Sequence, residues 1–355
     1  MIAIRQAKED DKDRLLGFMA SAAGTEKARV LKRRWHWQWH CDPRLDEPGY
    51  RGVVAEWQGN IIGSVSCMPA GLYIAGESAP AVWLTDVRID WGLVRQAMKD
   101  LRRRGERKSP EFSGGIAAAM FNHPSAGRIQ LGKHIAEEMM TIGERAGFTE
   151  MPGAANFMRR TSFKWPLRKS LGEIAGGFAG AIADLAIPRV PRPLLTIQKF
   201  DAEFDDRFDR LFDRARNEYA AVTLRDSTVL NWHYREHPDT SYDAFVIERG
   251  NEVRGYLVLK AYERKGRLIA RIVDLLTERG DAEAIESLVA AALRHSRSRG
   301  AERADWFASG ADLSGCLSRL GFSARLTKRK RAQVLMQRHL PEVVLYVTSG
   351  DGDGG

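Results

Sequence analysis

The segment RRWHWQWHCDP at residues 33–43 returns in altered form as LNWHYREHPDT at residues 230–240. Three pairs align at one offset of 195 residues: Trp37 with Trp232, Trp39 with Tyr234, and Pro43 with Pro238. Further matches in the same order would indicate an internal duplication.

A hairpin pattern follows each aromatic segment. The first copy reads VVAEWQGNIIGSV (53–65) and the second reads FVIERGNEVRGYLVL (245–259). The Gly-Asn pairs at 59–60 and 250–251 supply the positive φ angles of a tight turn between two strands. The two copies therefore predict the same hairpin.

The matches continue with a mainly apolar strand that carries one carboxylate, Asp86 in AVWLTDVRID and Asp274 in IARIVDLLTE. Apolar residues at helical spacing then predict a helix in each copy, at 93–101 and at 285–293. A short apolar strand follows (GIAAAMF and ADWFASG), and then a Gly-Phe pair, at 147–148 and 321–322. The offset shrinks to 174, so the first copy carries insertions, the largest around 122–140. The order of matches predicts a duplicated α/β unit with a mixed sheet.

Composition is that of a globular protein of two domains. The 355 residues are 44% hydrophobic and 28% charged, with a net charge of +9 and three widely spaced cysteines. Neither a disulfide framework nor a signal peptide is indicated, and we expect a cytoplasmic protein without a transmembrane segment. The basic runs at 29–34, 101–108 and 325–331 fit either solvated faces or attraction to phosphates.

The repeat sets the expected domain boundaries. We predict a first domain at 1–163, a connector with a linker helix at 164–195, a second domain at 196–347, and a flexible Gly/Asp tail at 348–355. The Gly- and Ala-rich connector is too short and interrupted to cross a bilayer, although weak contact with a membrane surface is an alternative.

The histidines of the opening segment suggest a metal site, because His36 and His40 are four residues apart. In the second copy these two histidines align with Asn231 and Arg235, which do not form a matching pair of metal ligands. The aromatic positions do superpose. The repeat therefore favours a helix that buries its aromatic side chains, and it predicts no metal site. For Trp37 and its match Trp232, core packing and the lining of a substrate groove both stay open. The candidate substrate-contacting residues are Trp37, Trp39, Trp232 and Tyr234.

The order of these elements, with W-x-[WY]-x-x-x-P and the late Gly-Phe, resembles the GNAT acyltransferase superfamily in two tandem copies. The resemblance covers nearly the whole chain except the connector and the tail. It implies a coenzyme A thioester between two diverging parallel strands, with the pyrophosphate on a helix N-terminus. Acetyl-CoA or another acyl-CoA would be the co-substrate and a small amine the acceptor.

The usual glycine-rich phosphate loop of that superfamily is reduced here to one glycine per copy, Gly92 and Gly280. By the resemblance, the cofactor-binding residues of the first copy are Val87, Arg88, Ile89, Gly92 and Leu93.

Asp86 and Asp274 stand where many GNAT enzymes place a general base. The alternative is a carboxylate paired with a basic side chain such as Arg88 or Arg271. Tyr346 lies beyond the usual position of the superfamily's late tyrosine acid.

Three functions remain open from the sequence. The first is an acyl-CoA-dependent N-acyltransferase. The second is an aminoacyl-tRNA-dependent transferase of the Fem type, which would use the basic runs and need no phosphate loop. The third is a non-catalytic binding or scaffold protein that retains the fold. The oligomeric state is not indicated.

Overall fold

The protein is described by a computed structural model over residues 2–104, 115–133, 135, 137–151, 154–309, 311–325 and 336–352. It contains two compact units. The first comprises Met1–Leu72, Ser78–Met151 and Lys328–Glu342, and the second comprises Tyr73–Glu77, Pro152–Thr327 and Val343–Gly355. Over the described ranges, no helix has the length and apolar character that a bilayer crossing requires.

Strands and helices alternate along the chain. The strands are β1 (Ile2–Gln6), β2 (Gly52–Trp57), β3 (Asn60–Pro69), β4 (Leu72–Ile74), β5 (Glu77–Ala79), β6 (Ala81–Ile89), β7 (Ile129–Gly132), β8 (Thr149–Glu150), β9 (Ala154–Arg160), β10 (Gln198–Phe200), β11 (Ala221–Thr223), β12 (Asp243–Arg249), β13 (Glu252–Arg264), β14 (Arg267–Thr277), β15 (Arg303–Ser309), β16 (Ser323–Arg325), β17 (Met336–Arg338) and β18 (Leu345–Tyr346). The helices are α1 (Lys12–Ala23), α2 (Thr25–His40), α3 (Trp91–Arg103), α4 (Ile116–Asn122), α5 (Glu137–Arg145), α6 (Lys164–Leu171), α7 (Glu173–Asp184), α8 (Asp206–Ala215), α9 (Ser227–Tyr234), α10 (Ala282–Ser298) and α11 (Ala311–Arg319).

Each unit is built on a seven-stranded mixed sheet. The first runs β1-β2-β3-β6-β7-β17-β8 and the second runs β10-β12-β13-β14-β15-β9-β16. In both sheets the central pair, β6 with β7 and β14 with β15, is parallel. A four-stranded sheet has the order β18-β11-β4-β5. The predicted fold class, a mixed-sheet α/β architecture, is confirmed.

The two units are not continuous in sequence, because each sheet includes the last strand of the other copy. β9, from the end of the first copy, lies between β15 and β16. β17, from the end of the second copy, lies between β7 and β8. The predicted domain boundaries at 163 and 196 follow the order of the repeat. They do not include this exchange of the last strands between the two sheets. Main-chain hydrogen bonding within each sheet thus depends on residues from both copies.

Both predicted hairpins are present. In the second copy Gly250, at φ 63°, starts the two-residue turn. In the first copy Trp57 pairs with Asn60, so the turn residues are Gln58 and Gly59, at φ 50° and 76°. That turn lies one residue before the predicted Gly-Asn pair, since Asn60 already belongs to β3.

The predicted strand GIAAAMF is wrong. All of its residues after Gly115 belong to α4 (Ile116–Asn122), which packs its alanines into the core of the first unit. Consecutive alanines favour a helix over a strand, and this preference overrides the apolar run. The strand that matches β15 is instead β7, which lies inside the stretch interpreted as an insertion. The predicted helices at 93–101 and 285–293 are confirmed as α3 and α10.

The connector and the tail both differ from expectation. The connector forms two helices, α6 and α7, rather than one. The tail was expected to be flexible, yet Thr348, Ser349 and Asp351 are buried. This part of the prediction is corrected over 348–352, because the segment has polar side chains that bond within the second unit. Residues 353–355 lie outside the described residues.

Candidate functional site

Parallel pairing in the centre of each sheet is short. Within the residues that the structure describes, β6 bonds to β7 over Ala81–Trp83 and β14 bonds to β15 over Ile269–Ile272, and no further. Each of these strands also has a β-bulge just beyond its paired segment. In β6, Asp86 and Val87 together face Val65 of β3, and in β14 the extra residue is Val273. A bulge bends its strand and ends a ladder locally. These two places are therefore the candidate ligand sites.

Asp86 lies within the bulge of β6. Its φ is 48°, in the left-handed region that only a few residue types adopt readily. Its side chain is almost buried, and Oδ1 lies 2.9 Å from Nζ of Lys27 on α2. The alternative partner considered above, Arg88, is exposed. The carboxylate is therefore held in one place by a strained backbone and one cation.

A polar cluster that the sequence did not reveal adjoins Asp86. The Tyr50 hydroxyl lies 2.9 Å from Oγ of Ser66, and Ser66 faces Thr85 across the strands. Burial, together with the nearby charge of Asp86, holds the pKa of Tyr50 above its usual range. The ring of Trp39 packs edge-on against Tyr50, with centroids 4.9 Å apart.

Three buried polar atoms of this cluster have no hydrogen-bond partner among the described residues: Trp39 Nε1, Trp83 Nε1 and Thr85 Oγ1. Trp83 and Thr85 are alternate residues of β6 and therefore share a face of the sheet. Buried donors are rarely left unpaired in folded proteins. A ligand with carbonyl oxygens would satisfy them.

A cavity of about 510 Å³ opens in the first unit beside this cluster. Its lining residues include Tyr50, Cys67, Val82, Glu47, Arg51 and Ser125. Burial raises the pKa of the Cys67 thiol to about 12, so this thiol is protonated at neutral pH and does not act as a nucleophile. The cavity is large enough for a small acceptor.

The N-terminus of α3 follows β6 directly, as a phosphate site requires. There, however, the Asp90 carboxylate caps the helix and accepts a hydrogen bond from Leu93 N–H at 2.9 Å. Among the other predicted cofactor-binding residues, Val87, Ile89 and Gly92 are half-buried and Arg88 is exposed. The helix end thus already carries a negative charge where a pyrophosphate would bind.

Asp274 has a different environment from Asp86. It is buried and accepts hydrogen bonds from Arg225 Nε at 3.0 Å and from the Tyr256 hydroxyl at 2.8 Å. Arg225 also bonds to Asp351 at 2.7 Å. Burial works to lower the pKa of Arg225, but the carboxylates of Asp274 and Asp351 raise it well above its usual value. The partner of Asp274 is therefore Arg225, and not Arg271 as considered above.

The segment 347–350 lies between the diverging strands β14 and β15. Gly350 N–H donates to Val273 O on one side, and Ser309 N–H donates to Val347 O at 2.9 Å on the other. Thr348 forms an antiparallel bridge with Ala308 of β15. Tyr346 just before it donates its hydroxyl to Leu275 O of β14. The protein's own backbone thus occupies the gap in the second unit.

Gly350→Ala is expected to destabilise the second unit by about 1–3 kcal/mol, a typical cost of overpacking. A Cβ there would overlap the Tyr234 hydroxyl and lie 2.9 Å from Val273 O. Urea unfolding measures the change. Gly17→Ala in α1 is the control, since its Cβ meets nothing within 4 Å. Equal stability of the Gly350 variant and the wild type would show that the segment does not pack as described.

The four candidate substrate-contacting aromatics are all buried: Trp37, Trp39, Trp232 and Tyr234. Trp37 and Trp39 belong to α2, whose last residue is His40, and the other two belong to α9. Tyr234 packs against Gly350, whereas its counterpart Trp39 has the unpaired indole described above. Within the described ranges, no group of three or more metal-ligating side chains converges, and the rings of His36 and His40 stack on each other.

Comparison with solved structures identifies the fold. The chain aligns with a GCN5-related N-acetyltransferase from Anabaena variabilis ATCC 29413 at a TM-score of 0.56 and 12% identity, over 95% of this chain and 72% of that one. A conserved protein from Enterococcus faecalis V583, described as a probable N-acyltransferase, aligns at 0.55 and 12% identity, over 97% and 73%. N-myristoyltransferase from Saccharomyces cerevisiae, solved with bound myristoyl-CoA, aligns at 0.55 and 9% identity, over 94% and 81%. No protein-family model and no curated protein matches the chain.

The fold is therefore that of the GNAT acyltransferases, and the two sheet-and-helix units fit two tandem copies of it. At these identities the likeness concerns the fold, and any activity has to be argued from the site.

Proposed function

We propose that the protein is an acyl-CoA-dependent N-acyltransferase whose reaction takes place in the first unit. One observation carries the proposal. The end of β6–β7 pairing lies beside a strained, nearly buried carboxylate and three unpaired polar atoms, whereas the corresponding gap in the second unit is filled by residues 347–350. The acyl-CoA would therefore bind along β6 beyond Trp83.

In this proposal the thioester and the amine meet next to Asp86. The amine nitrogen attacks the thioester carbonyl carbon, the carbon–sulfur bond breaks, and coenzyme A leaves as the thiolate. The proton of the amine passes to the Asp86 carboxylate and from there to solvent or to the thiolate. Unpaired donors such as Trp83 Nε1 would bond to carbonyl oxygens of the bound thioester. The acceptor would enter through the cavity lined by Tyr50 and Cys67.

The phosphates of coenzyme A fit this unit less well than the thioester does. Asp90 occupies the α3 N-terminus and repels an anion there, while exposed Arg88, Arg95 and Lys99 offer positive charge nearby. We therefore expect the phosphates to be held mainly by these side chains, with binding weaker than at an uncapped helix end.

Calorimetric titration with acetyl-CoA and with a longer acyl-CoA tests the proposal. We expect saturable binding, and we expect Asp90→Asn to bind about two- to fivefold more tightly, because asparagine keeps the cap but removes the charge. Asp281→Asn is the matched control, since Asp281 caps α10 of the second unit in the same way. It should leave acyl-CoA affinity unchanged.

No heat with either thioester would contradict the proposal. Tighter binding in Asp281→Asn alone would instead move the site to the second unit. The capped helix ends also favour the alternative of a non-catalytic binding protein, which would bind neither thioester. Salt-dependent binding of tRNA without acyl-CoA binding would favour the aminoacyl-tRNA-dependent alternative.

A further inference from the structure

The helical hairpin α6–α7 has an apolar face that is exposed to solvent. Four residues of α7 and its C-terminal end form this face, spaced at i, i+4, i+8 and i+11 along the helix. Their exposed fractions are 83% for Ile174, 75% for Phe178, 66% for Ile182 and 85% for Leu185. Isolated apolar side chains on a surface are ordinary, but a continuous stripe marks an interaction site.

The orientation of this stripe follows from two glycines on the opposite face of α7. A Cβ at Gly176 would overlap the backbone at Leu167 and Arg168, and one at Gly180 would overlap Lys164. The two helices therefore approach backbone to backbone through the glycines. The large apolar residues consequently point away from α6.

The neighbouring helix of the same hairpin carries exposed positive charge. Arg160, Lys164, Arg168 and Lys169 are exposed on or just before α6. Across residues 160–192 the exposed cations outnumber the acidic side chains, and Asp184 is engaged by Ser162 and Phe163 N–H. Exposed apolar residues together with exposed cations on one helical hairpin are typical of segments that lie in the interface of an anionic bilayer.

A second observation, independent of the stripe, is a basic cavity beside the part of the connector that follows α7. A cavity of about 490 Å³ is lined by Arg189, Arg294 and Arg297 together with Val190 and Ser298. Its described lining contains no carboxylate, and in the part of the chain that the structure describes none of the three arginines forms an ion pair.

Arg189 lies four residues after Leu185, and Arg294 of α10 fixes the connector by donating to Val190 O and Pro191 O. Arginine suits this role because its guanidinium forms paired hydrogen bonds with phosphate oxygens.

We propose that α6–α7 and the neighbouring arginine cavity dock the protein on an anionic phospholipid surface. The apolar stripe enters the acyl-chain boundary and the arginines bind lipid phosphates. A second copy of the chain fits less well, because a two-fold interface would bring two sets of exposed cations together. The proposal does not depend on the proposed activity.

The test is co-sedimentation of the full chain with vesicles of phosphatidylcholine alone and of phosphatidylcholine mixed with phosphatidylglycerol. We expect binding to the anionic vesicles only, and weakening as salt is raised. Phe178→Ser/Ile182→Ser and Arg294→Gln/Arg297→Gln should each weaken binding by about tenfold or more.

Two controls remove comparable groups from elsewhere. Val344→Ser replaces another exposed apolar residue, and Arg210→Gln/Arg249→Gln removes two other exposed charges of the second unit. Both should bind as the wild type does. The proposal is overturned if the wild type ignores anionic vesicles, or if the hairpin variant binds them normally. It is also overturned if light scattering shows a dimer that the Phe178/Ile182 variant dissociates, since a second copy would then cover the stripe.

Discussion

Arg225→Met is expected to lower the free energy of unfolding of the second unit by about 3–5 kcal/mol. Arg225 is 3% exposed and is the cation between two buried carboxylates, Asp274 and Asp351. Methionine fills a similar volume but leaves both carboxylates buried without their partner. Removing one member of a buried ion group costs far more than the group contributes to stability as a whole. Urea unfolding followed by circular dichroism measures the difference.

Arg207→Met is the matched control for that experiment. Arg207 also bridges two carboxylates, Asp205 and Glu248, but these groups are partly exposed and water can replace the lost contacts. We expect a loss of about 1 kcal/mol or less. Similar losses for the two variants would show that Arg225, Asp274 and Asp351 are solvated and do not form a buried network.

This network changes the interpretation of Asp274. The repeat places the two aspartates at equivalent positions, and the sequence therefore nominates both as candidate bases. In the structure Asp274 is surrounded by donors that saturate its oxygens, including Thr348 Oγ1 at 2.9 Å. We propose that Asp274 anchors segment 347–351 in the gap, which leaves Asp86 as the candidate base.

Much of the fold could be predicted from local patterns. Trp37 with Trp232 and the two Gly-turn hairpins are matched in order, and a duplicated pattern reflects a duplicated unit because each element must bury the same face. The hairpins depend only on residues near each other in the chain. The same holds for the amphipathic helices α3 and α10, because the spacing of their apolar residues in the sequence predicts a helix.

What the sequence did not predict depends on contacts between distant residues. β17 pairs with β7, about 200 residues earlier in the chain, and nothing in its three residues, Met-Gln-Arg, specifies that partner. The tail contains glycine and aspartate, which usually indicate disorder, but Asp351 is buried because Arg225 pairs with it. Unpaired atoms such as Trp83 Nε1 become visible only once the packing is known.

Asp86→Asn is expected to reduce the turnover of acyl transfer by about 10²–10³-fold, the usual contribution of a general base, while acyl-CoA affinity stays within about twofold. Asparagine is the right substitution because it tolerates the left-handed φ of 48° at this position and keeps the size of the side chain. The variant should therefore fold normally, which thermal unfolding verifies. Loss of turnover with intact folding and intact acyl-CoA binding would assign the chemistry to Asp86.

Lys27→Met separates the base from its partner. Lys27 is the cation 2.9 Å from Asp86, and removing it takes away the ion pair that holds the carboxylate in place. Steady-state turnover should therefore fall in Lys27→Met, although less than in Asp86→Asn, because the carboxylate itself is still present. Unchanged turnover in both variants would contradict proton transfer to Asp86, because each variant alters the group that the mechanism requires to accept the proton.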